Sequence, residues 1–107
     1  IVETPSKECT EVALFQVAEE NTHRVIKLSF QILAEMNAAT KVILEHKVLV
    51  NNDKPNELCW QLTWRDAETA KTTTKQWPQF PSTKEFQTLV ERNIYYGHFS
   101  PQPTATE

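Results

Sequence analysis

The order of strand-like and helix-like patterns along the chain is the feature that most restricts its fold. Alternating apolar residues predict β-strands at residues 10–17, 41–50, 57–65 and 93–99. Helical spacing predicts one helix over residues 20–37 and a second, interrupted helical segment over residues 66–90. This order is that of the ferredoxin-like βαββαβ fold, an antiparallel four-stranded sheet with two helices on one face. We therefore predict an α+β protein with strand order 4-1-3-2.

The predicted domain spans residues 10–99 of the 107-residue chain. A polar leader over residues 1–9 is expected before it, and a disordered tail over residues 100–107 after it. This length corresponds to one domain of the commonest size.

The second helical segment contains a break at KQWPQFPSTKEF, residues 75–86. Proline removes a backbone hydrogen bond and clashes with the preceding helical turn, so Pro78 and Pro81 predict an interruption. Trp77 and Phe80 lie at this interruption. Two interpretations remain open: the aromatic side chains line a cavity beside the break, or they fill the core there.

Capping residues predict where both parts of this segment begin. Asp66 has the side chain of an N-cap for the first part. Ser82 and Glu85 have the spacing of a capping box, which predicts that a new helix begins near Ser82.

The first strand, TEVALFQV, is apolar on both faces. Two helices can cover only one face of a four-stranded sheet, so the other face would remain exposed as an apolar patch. Such patches usually mark interfaces. We predict a homodimer in which two such sheets pack face to face.

Composition argues against several classes of function. Lys and Arg form no cluster in a chain of net charge −3, which indicates no nucleic-acid partner. No apolar run approaches the roughly 20 residues of a membrane span, which indicates no membrane partner. The single glycine, Gly97, cannot form a glycine-rich phosphate loop. A cytoplasmic protein is predicted, with an exported mature form as the alternative because the chain starts at Ile1.

Cys9 and Cys59 match no zinc signature, and two free thiols are expected. The two central strands are expected to run parallel, which would place both cysteines at strand starts. A disulfide would then be conceivable in an exported chain.

Histidine and tyrosine residues on the predicted strands suggest proton transfer rather than metal binding. His46 and His98 fall on opposite edges of the sheet, about 14 Å apart, so no metal site is predicted within one subunit. His98 beside Tyr95 or Tyr96 is a candidate for moving protons, because imidazole titrates near neutral pH. The alternative is that this stretch is simply a packed edge strand.

Trp60 and Trp64 are four residues apart, an even spacing, and therefore share one face of the third strand. With Trp77 they could form an aromatic box for a planar substrate. The alternative is that they belong to the core.

Three stretches resemble the antibiotic-biosynthesis-monooxygenase-like superfamily of dimeric α+β barrels. HKVLVNNDKPNELCWQLTW resembles that family's second and third strands, DAETAKTTTKQWPQFPSTKEFQTL its interrupted second helix, and IYYGHF its last strand. The resemblance implies a homodimer with a cavity between sheet and helices, holding a small apolar or aromatic ligand. It implies a monooxygenase, or a related isomerase, that needs no cofactor and acts on a small aromatic or quinol-like substrate. A small-molecule-binding or structural homodimer without catalysis is the alternative.

The monooxygenase hypothesis gives roles to specific residues. Trp60, Trp64, Trp77, Phe80 and Tyr95 would contact the substrate, and His98 and Tyr96 would be catalytic. Haem-degrading members of the family have an Asn on the first strand and an axial His after the helix bend. This chain has Gln16 on the strand and no His after the bend, which argues against haem degradation.

Overall fold

A computed structural model describes residues 7–103 of the chain. The strands are β1 (Cys9–Val17), β2 (Ile43–Val50), β3 (Glu57–Trp64) and β4 (Val90–Phe99). The helices are α1 (Thr22–Met36), α2 (Ala67–Lys75) and α3 (Thr83–Leu89), and short 3-10 turns lie at Glu19–Asn21 and Trp77–Gln79. The predicted order of elements is confirmed. Most of the predicted leader and tail lies outside the described residues.

The four strands form one antiparallel sheet in the order β2-β3-β1-β4. This is the predicted 4-1-3-2 order, and the ferredoxin-like α+β fold is confirmed. One assumption about it was wrong: β1 and β3 run antiparallel. In this topology β1 inserts between β3 and β4 and runs opposite to both.

The strand directions rule out the disulfide considered from sequence. Cys9 lies opposite Trp64, whereas Cys59 lies opposite Leu14. The two cysteines are therefore separated by about 17 Å along the sheet, given 3.4 Å per residue. Both thiols are free.

The core lies between the helices and one face of the sheet. Alternate residues of β1 and β3 point toward the helices. An apolar stripe of α1, at helical spacing, packs against them. The large apolar side chains buried most completely in the core are Val17, Val25, Leu28, Ile32, Ile43, Leu58, Leu62 and Trp64.

A register shift in β2 interrupts the alternation of the strand predicted at residues 41–50. The shift lies between Ile43 and Glu45, and it allows Val42 and Ile43 both to be buried while Leu44 is exposed. The end of α1 holds the backbone just before this point. The side-chain oxygen of Asn37, just after α1, accepts hydrogen bonds from both backbone N–H groups of Val42 and Ile43.

The helix break has the predicted position. α2 begins with Asp66 as its N-cap, whose carboxylate accepts a 2.6 Å hydrogen bond from the N–H of Thr69. α2 ends at Lys75, and the following 3-10 turn contains Pro78. A new helix, α3, then runs from Thr83 to Leu89. β4 follows directly at Val90, three residues earlier than predicted.

The capping box predicted at the start of α3 was wrong. The Ser82 side chain makes no cap; its hydroxyl donates to Glu35 of α1 over 2.6 Å, and its N–H donates to the same carboxylate over 3.0 Å. Glu85 instead accepts hydrogen bonds from Nη2 and Nε of Arg24, over 2.6 and 2.7 Å. These contacts with distant residues replace the local cap, and they hold the start of α3 against α1.

The second sheet face carries no helix among residues 7–103. Tyr95 and Phe99 stack on it with ring centroids 6.3 Å apart, and Leu49 is also exposed there. Val12 and Leu14 of β1 lie between these residues and are half-buried. Within the same range, no helix combines the length and the apolar character needed to cross a membrane.

Candidate functional site

A cavity of about 340 Å³ lies between the helix-covered face of the sheet and the helix break. Its wall is mostly aromatic, contributed by Phe15, Trp60, Trp64, Trp77, Phe86 and Tyr96. Its polar groups come from Glu11, Thr74 and Asn93. A mostly apolar pocket with a few convergent polar groups is the usual form of a small-molecule site, and its size lies within the roughly 300–1,000 Å³ typical of such sites.

The aromatic wall is held by the core beneath it. Trp60 donates its indole N–H to the buried Ser29 hydroxyl over 2.9 Å, and that hydroxyl donates to the Val25 carbonyl. Phe86 of α3 packs against Trp60 and Trp77 with centroid distances of 5.1 and 5.8 Å. The break between α2 and α3 therefore brings Trp77 over the cavity, where it meets Trp60 at 6.1 Å.

A buried carboxylate forms the polar end of the cavity. Glu11 is only 4% exposed, and one of its oxygens meets three groups: Trp64 Nε1 at 3.1 Å, His98 Nε2 at 3.1 Å and the Tyr96 hydroxyl at 3.4 Å. The Tyr96 hydroxyl also lies 3.5 Å from His98 Nε2. We call these four residues the Glu11 cluster. It joins β1, β3 and β4 across the sheet.

The electrostatics of the Glu11 cluster follow from burial. Burial raises the pKa of the Glu11 carboxyl, and the charge of His98 and the three hydrogen bonds lower it by smaller amounts. Burial also raises the pKa of the Tyr96 hydroxyl, and the nearby Glu11 charge adds to that rise. The cluster thus contains a carboxylate that is a stronger base than usual beside a phenol that keeps its proton.

This arrangement suits proton transfer. A carboxylate with a raised pKa takes a proton from a weak acid more readily than an exposed one does. His98 reaches from the buried carboxylate toward solvent, with its side chain 31% exposed. A proton taken by Glu11 therefore has a neighbour through which it can leave.

The structure brings some predicted site residues together and separates others. Trp60, Trp64, Trp77 and Tyr96 line the cavity, and His98 contacts it through Glu11. Phe80 packs against the core beside the break without lining the cavity. The substrate-binding and catalytic roles of these residues stay predictions.

Tyr95 does not reach the cavity. Successive side chains of a strand point to opposite faces, so Tyr95 and Tyr96 cannot serve the same site. Tyr95 pairs with Leu14 on the open face and is 46% exposed there. The expectation that it contacts the substrate in this cavity is therefore not supported by its position.

Three polar residues of the site, Glu11, Thr74 and Asn93, were missed from sequence. Glu11 had a readable signal, since it occupies an inward position of β1, in line with Ala13 and Phe15. Asn93 had no such signal in the sequence, because a register shift in β4 places it, rather than Ile94, opposite Phe15. Such bulges redirect side chains near functional sites.

The histidines do not converge. His46 packs edge-on against Phe30, with centroids 5.8 Å apart, at the sheet edge opposite His98. In the stretch from residue 7 to residue 103, no three His, Cys, Asp or Glu side chains come close enough together to hold a metal.

The raised pKa of Glu11 predicts how stability depends on pH. The folded state holds this proton to a higher pH than the unfolded state, whose carboxyl titrates near 4.5. The stabilising contribution is therefore complete below pH 4.5 and is lost as pH rises through the folded-state pKa. Urea unfolding should show the wild-type free energy of unfolding falling relative to Glu11→Gln over this window. A constant difference between the two proteins would contradict the prediction.

The fold matches several solved structures, although no protein-family model and no curated protein sequence matches the chain. SnoaB, a cofactor-independent oxygenase from Streptomyces nogalater, aligns at a TM-score of 0.69 with 21% identity, over 95% of this chain and 100% of that one. An antibiotic biosynthesis monooxygenase aligns at 0.71 with 10% identity, over 89% and 99%. A conserved protein from Methanosarcina mazei aligns at 0.69 with 15% identity, over 89% and 93%. This chain therefore has the fold of the antibiotic biosynthesis monooxygenase-like structures, as its sequence resemblance implied.

Proposed function

We propose that the protein is a cofactor-independent monooxygenase acting on a small aromatic or quinol-like substrate. One observation carries the proposal: Glu11, a buried carboxylate of raised pKa, lies at the end of a cavity whose wall is mostly aromatic. The fold it shares with SnoaB is consistent with this chemistry. A related isomerase would use the same base without oxygen.

Glu11 is the proposed base. The substrate ring lies against Trp60, Trp77 and Phe86, and its acidic proton passes to the free face of the Glu11 carboxylate. Trp64 holds the carboxylate in place through its indole N–H, and His98 carries the proton toward solvent. The aromatic wall keeps water from the resulting carbanion.

The oxidation is balanced by molecular oxygen alone. The substrate carbanion transfers electrons to O₂, and a carbon–oxygen bond forms to give a hydroperoxide. Loss of water from that hydroperoxide converts a ring CH₂ group to a carbonyl. One oxygen atom remains in the product, the other leaves as water, and the substrate supplies all four electrons.

The test is oxygen uptake with a panel of anthrone-type and hydroxynaphthalene substrates, followed by mass spectrometry of the product. With ¹⁸O₂ we expect one labelled oxygen atom per product molecule. Boiled protein and metal-chelated protein serve as controls, and chelation should leave the rate unchanged. A product without label, or no uptake with any member of the panel, would sink the proposal.

A non-catalytic small-molecule binder is the second candidate. Its support is the close packing of Phe15, Trp60 and Phe86, which shows that part of the aromatic wall also belongs to the core. The Glu11 cluster favours the enzyme, because a purely structural cavity gains nothing from a buried carboxylate. Ligand binding without oxygen uptake or isomerisation would favour the binder.

We also propose that the protein is a homodimer formed by its open sheet faces. The open face presents Leu14, Leu49, Tyr95 and Phe99, which form an apolar surface on the strands. Light scattering should give twice the mass of the chain. Leu14→Lys should shift that mass toward one chain, because two buried ammonium groups would face each other, while Gln87→Lys on exposed α3 should not. A single-chain mass for the wild type would contradict the dimer.

A further inference from the structure

We propose that the substrate carries a carboxylate, which Lys71 and Lys75 of α2 bind beside the aromatic cavity. This inference rests on the proposed function of that cavity. It adds the charge of the substrate and the place where that charge is held.

A second pocket, of about 360 Å³, lies next to the aromatic cavity between α2 and the sheet. Thr74 and Tyr96 line both spaces, so one planar molecule with a substituent can occupy the two together. The small side chains of Ala67 and Ala70 leave room along this side of α2.

The second pocket has a positive wall. Lys71 and Lys75 are four residues apart and therefore neighbours on one side of α2, and both line the pocket. Neither forms an ion pair with any residue between 7 and 103, where the pairs are Arg24–Glu85, Arg65–Asp66 and His98–Glu11. Like charges at this spacing weaken a helix slightly, and a bound anion would relieve their repulsion.

The position of Lys75 alone has an ordinary explanation. It lies in the last turn of α2, where the helix dipole favours a cation. Lys71 lies in the middle of the helix, where that explanation does not apply. Both ammonium groups are exposed beside one pocket, where an anionic ligand could contact the two together.

The buried Glu11 makes cationic partners necessary for such a substrate. A substrate carboxylate near this buried carboxylate would be repelled unless positive charge compensated it. Tyr96 separates the two spaces, so the substrate ring can approach Glu11 while its carboxylate points toward the lysines. His98 lines the second pocket as well and remains paired with Glu11.

Binding is measured without turnover. All three tryptophans of the chain line the aromatic cavity, so quenching of their fluorescence reports occupancy. The probes are 6-hydroxy-2-naphthoate and its methyl ester, which differ only in charge. We expect the wild type to bind the acid about 5- to 10-fold more tightly than the ester, as two partly exposed charge pairs allow. The preference should shrink as salt rises.

The double variant Lys71→Gln/Lys75→Gln should bind both probes equally, with affinity for the ester unchanged. The matched control, Lys27→Gln/Lys84→Gln, removes two exposed lysines from α1 and α3 and should keep the preference. Equal binding by the wild type, a preference that survives the double variant, or no quenching by either probe would overturn the inference.

These outcomes separate the inference from the proposed function. A carboxylate preference without oxygen uptake would support the lysine site and contradict the oxygenase. Oxygen uptake without a carboxylate preference would support the oxygenase and contradict the lysine site.

Discussion

Glu11→Gln should lower the rate of oxygen uptake by about 100-fold or more, the usual contribution of a positioned general base. The substitution keeps the size of the side chain and an oxygen that can accept the 3.1 Å hydrogen bond from Trp64. It removes the negative charge and with it the ability to take a proton. Binding of an uncharged substrate, followed by tryptophan fluorescence, should change little, so the loss should appear in kcat.

The control for this variant is Glu20→Gln, which removes a carboxylate from an exposed position ahead of α1. It should retain the wild-type rate. His98→Gln should lower the rate less than Glu11→Gln does, and the loss should depend on buffer concentration because small buffer acids replace the proton path. Full activity in folded Glu11→Gln would show that this carboxylate is not the base.

Phe86→Ala should lower the free energy of unfolding by about 3–5 kcal/mol, the cost usual for deleting a buried phenyl group. Phe86 is 7% exposed and packs against Phe15, Trp60 and Trp77 within 6 Å. The space left by the phenyl ring would merge with the existing cavity. Urea unfolding, monitored by circular dichroism, measures the change.

Phe30→Ala is the matched control, since Phe30 is 46% exposed and touches His46 at the surface. Its cost should be about 1 kcal/mol or less, because little apolar area is lost from the interior. Equal costs for the two variants would mean that Phe86 does not support the wall of the cavity. Tryptophan-fluorescence titrations with the naphthol probes would show whether Phe86→Ala also weakens their binding.

Local chemistry explains why so much of the fold could be predicted. Alternation in β3 places Trp60 and Trp64 on one face whatever the rest of the chain does. Proline at positions 78 and 81 interrupts a helix for reasons contained in the residue itself. Asp66 caps α2 with the hydrogen bond that its side chain was expected to accept. Each of these depends on neighbours within a few residues.

The wrong capping box has the opposite property. Ser82 and Glu85 have the spacing of a capping box, yet Glu35 and Arg24, 47 and 61 residues away, take their hydrogen bonds. A charged partner from a distant element outweighs a local capping preference, and no local pattern contains it. The register shift in β2 lies where Asn37, only five and six residues earlier, binds Val42 and Ile43.

The sequence by itself determined the order of the elements, the helix break and the face on which the tryptophans lie, because these follow from residue periodicity and backbone chemistry. Only the tertiary structure decided the site. It joined Glu11 with Trp64, Tyr96 and His98 from three strands, and it turned Asn93 into the cavity through a bulge. The raised pKa of Glu11 likewise exists only once the helices exclude water from it, since desolvation is a property of the folded chain.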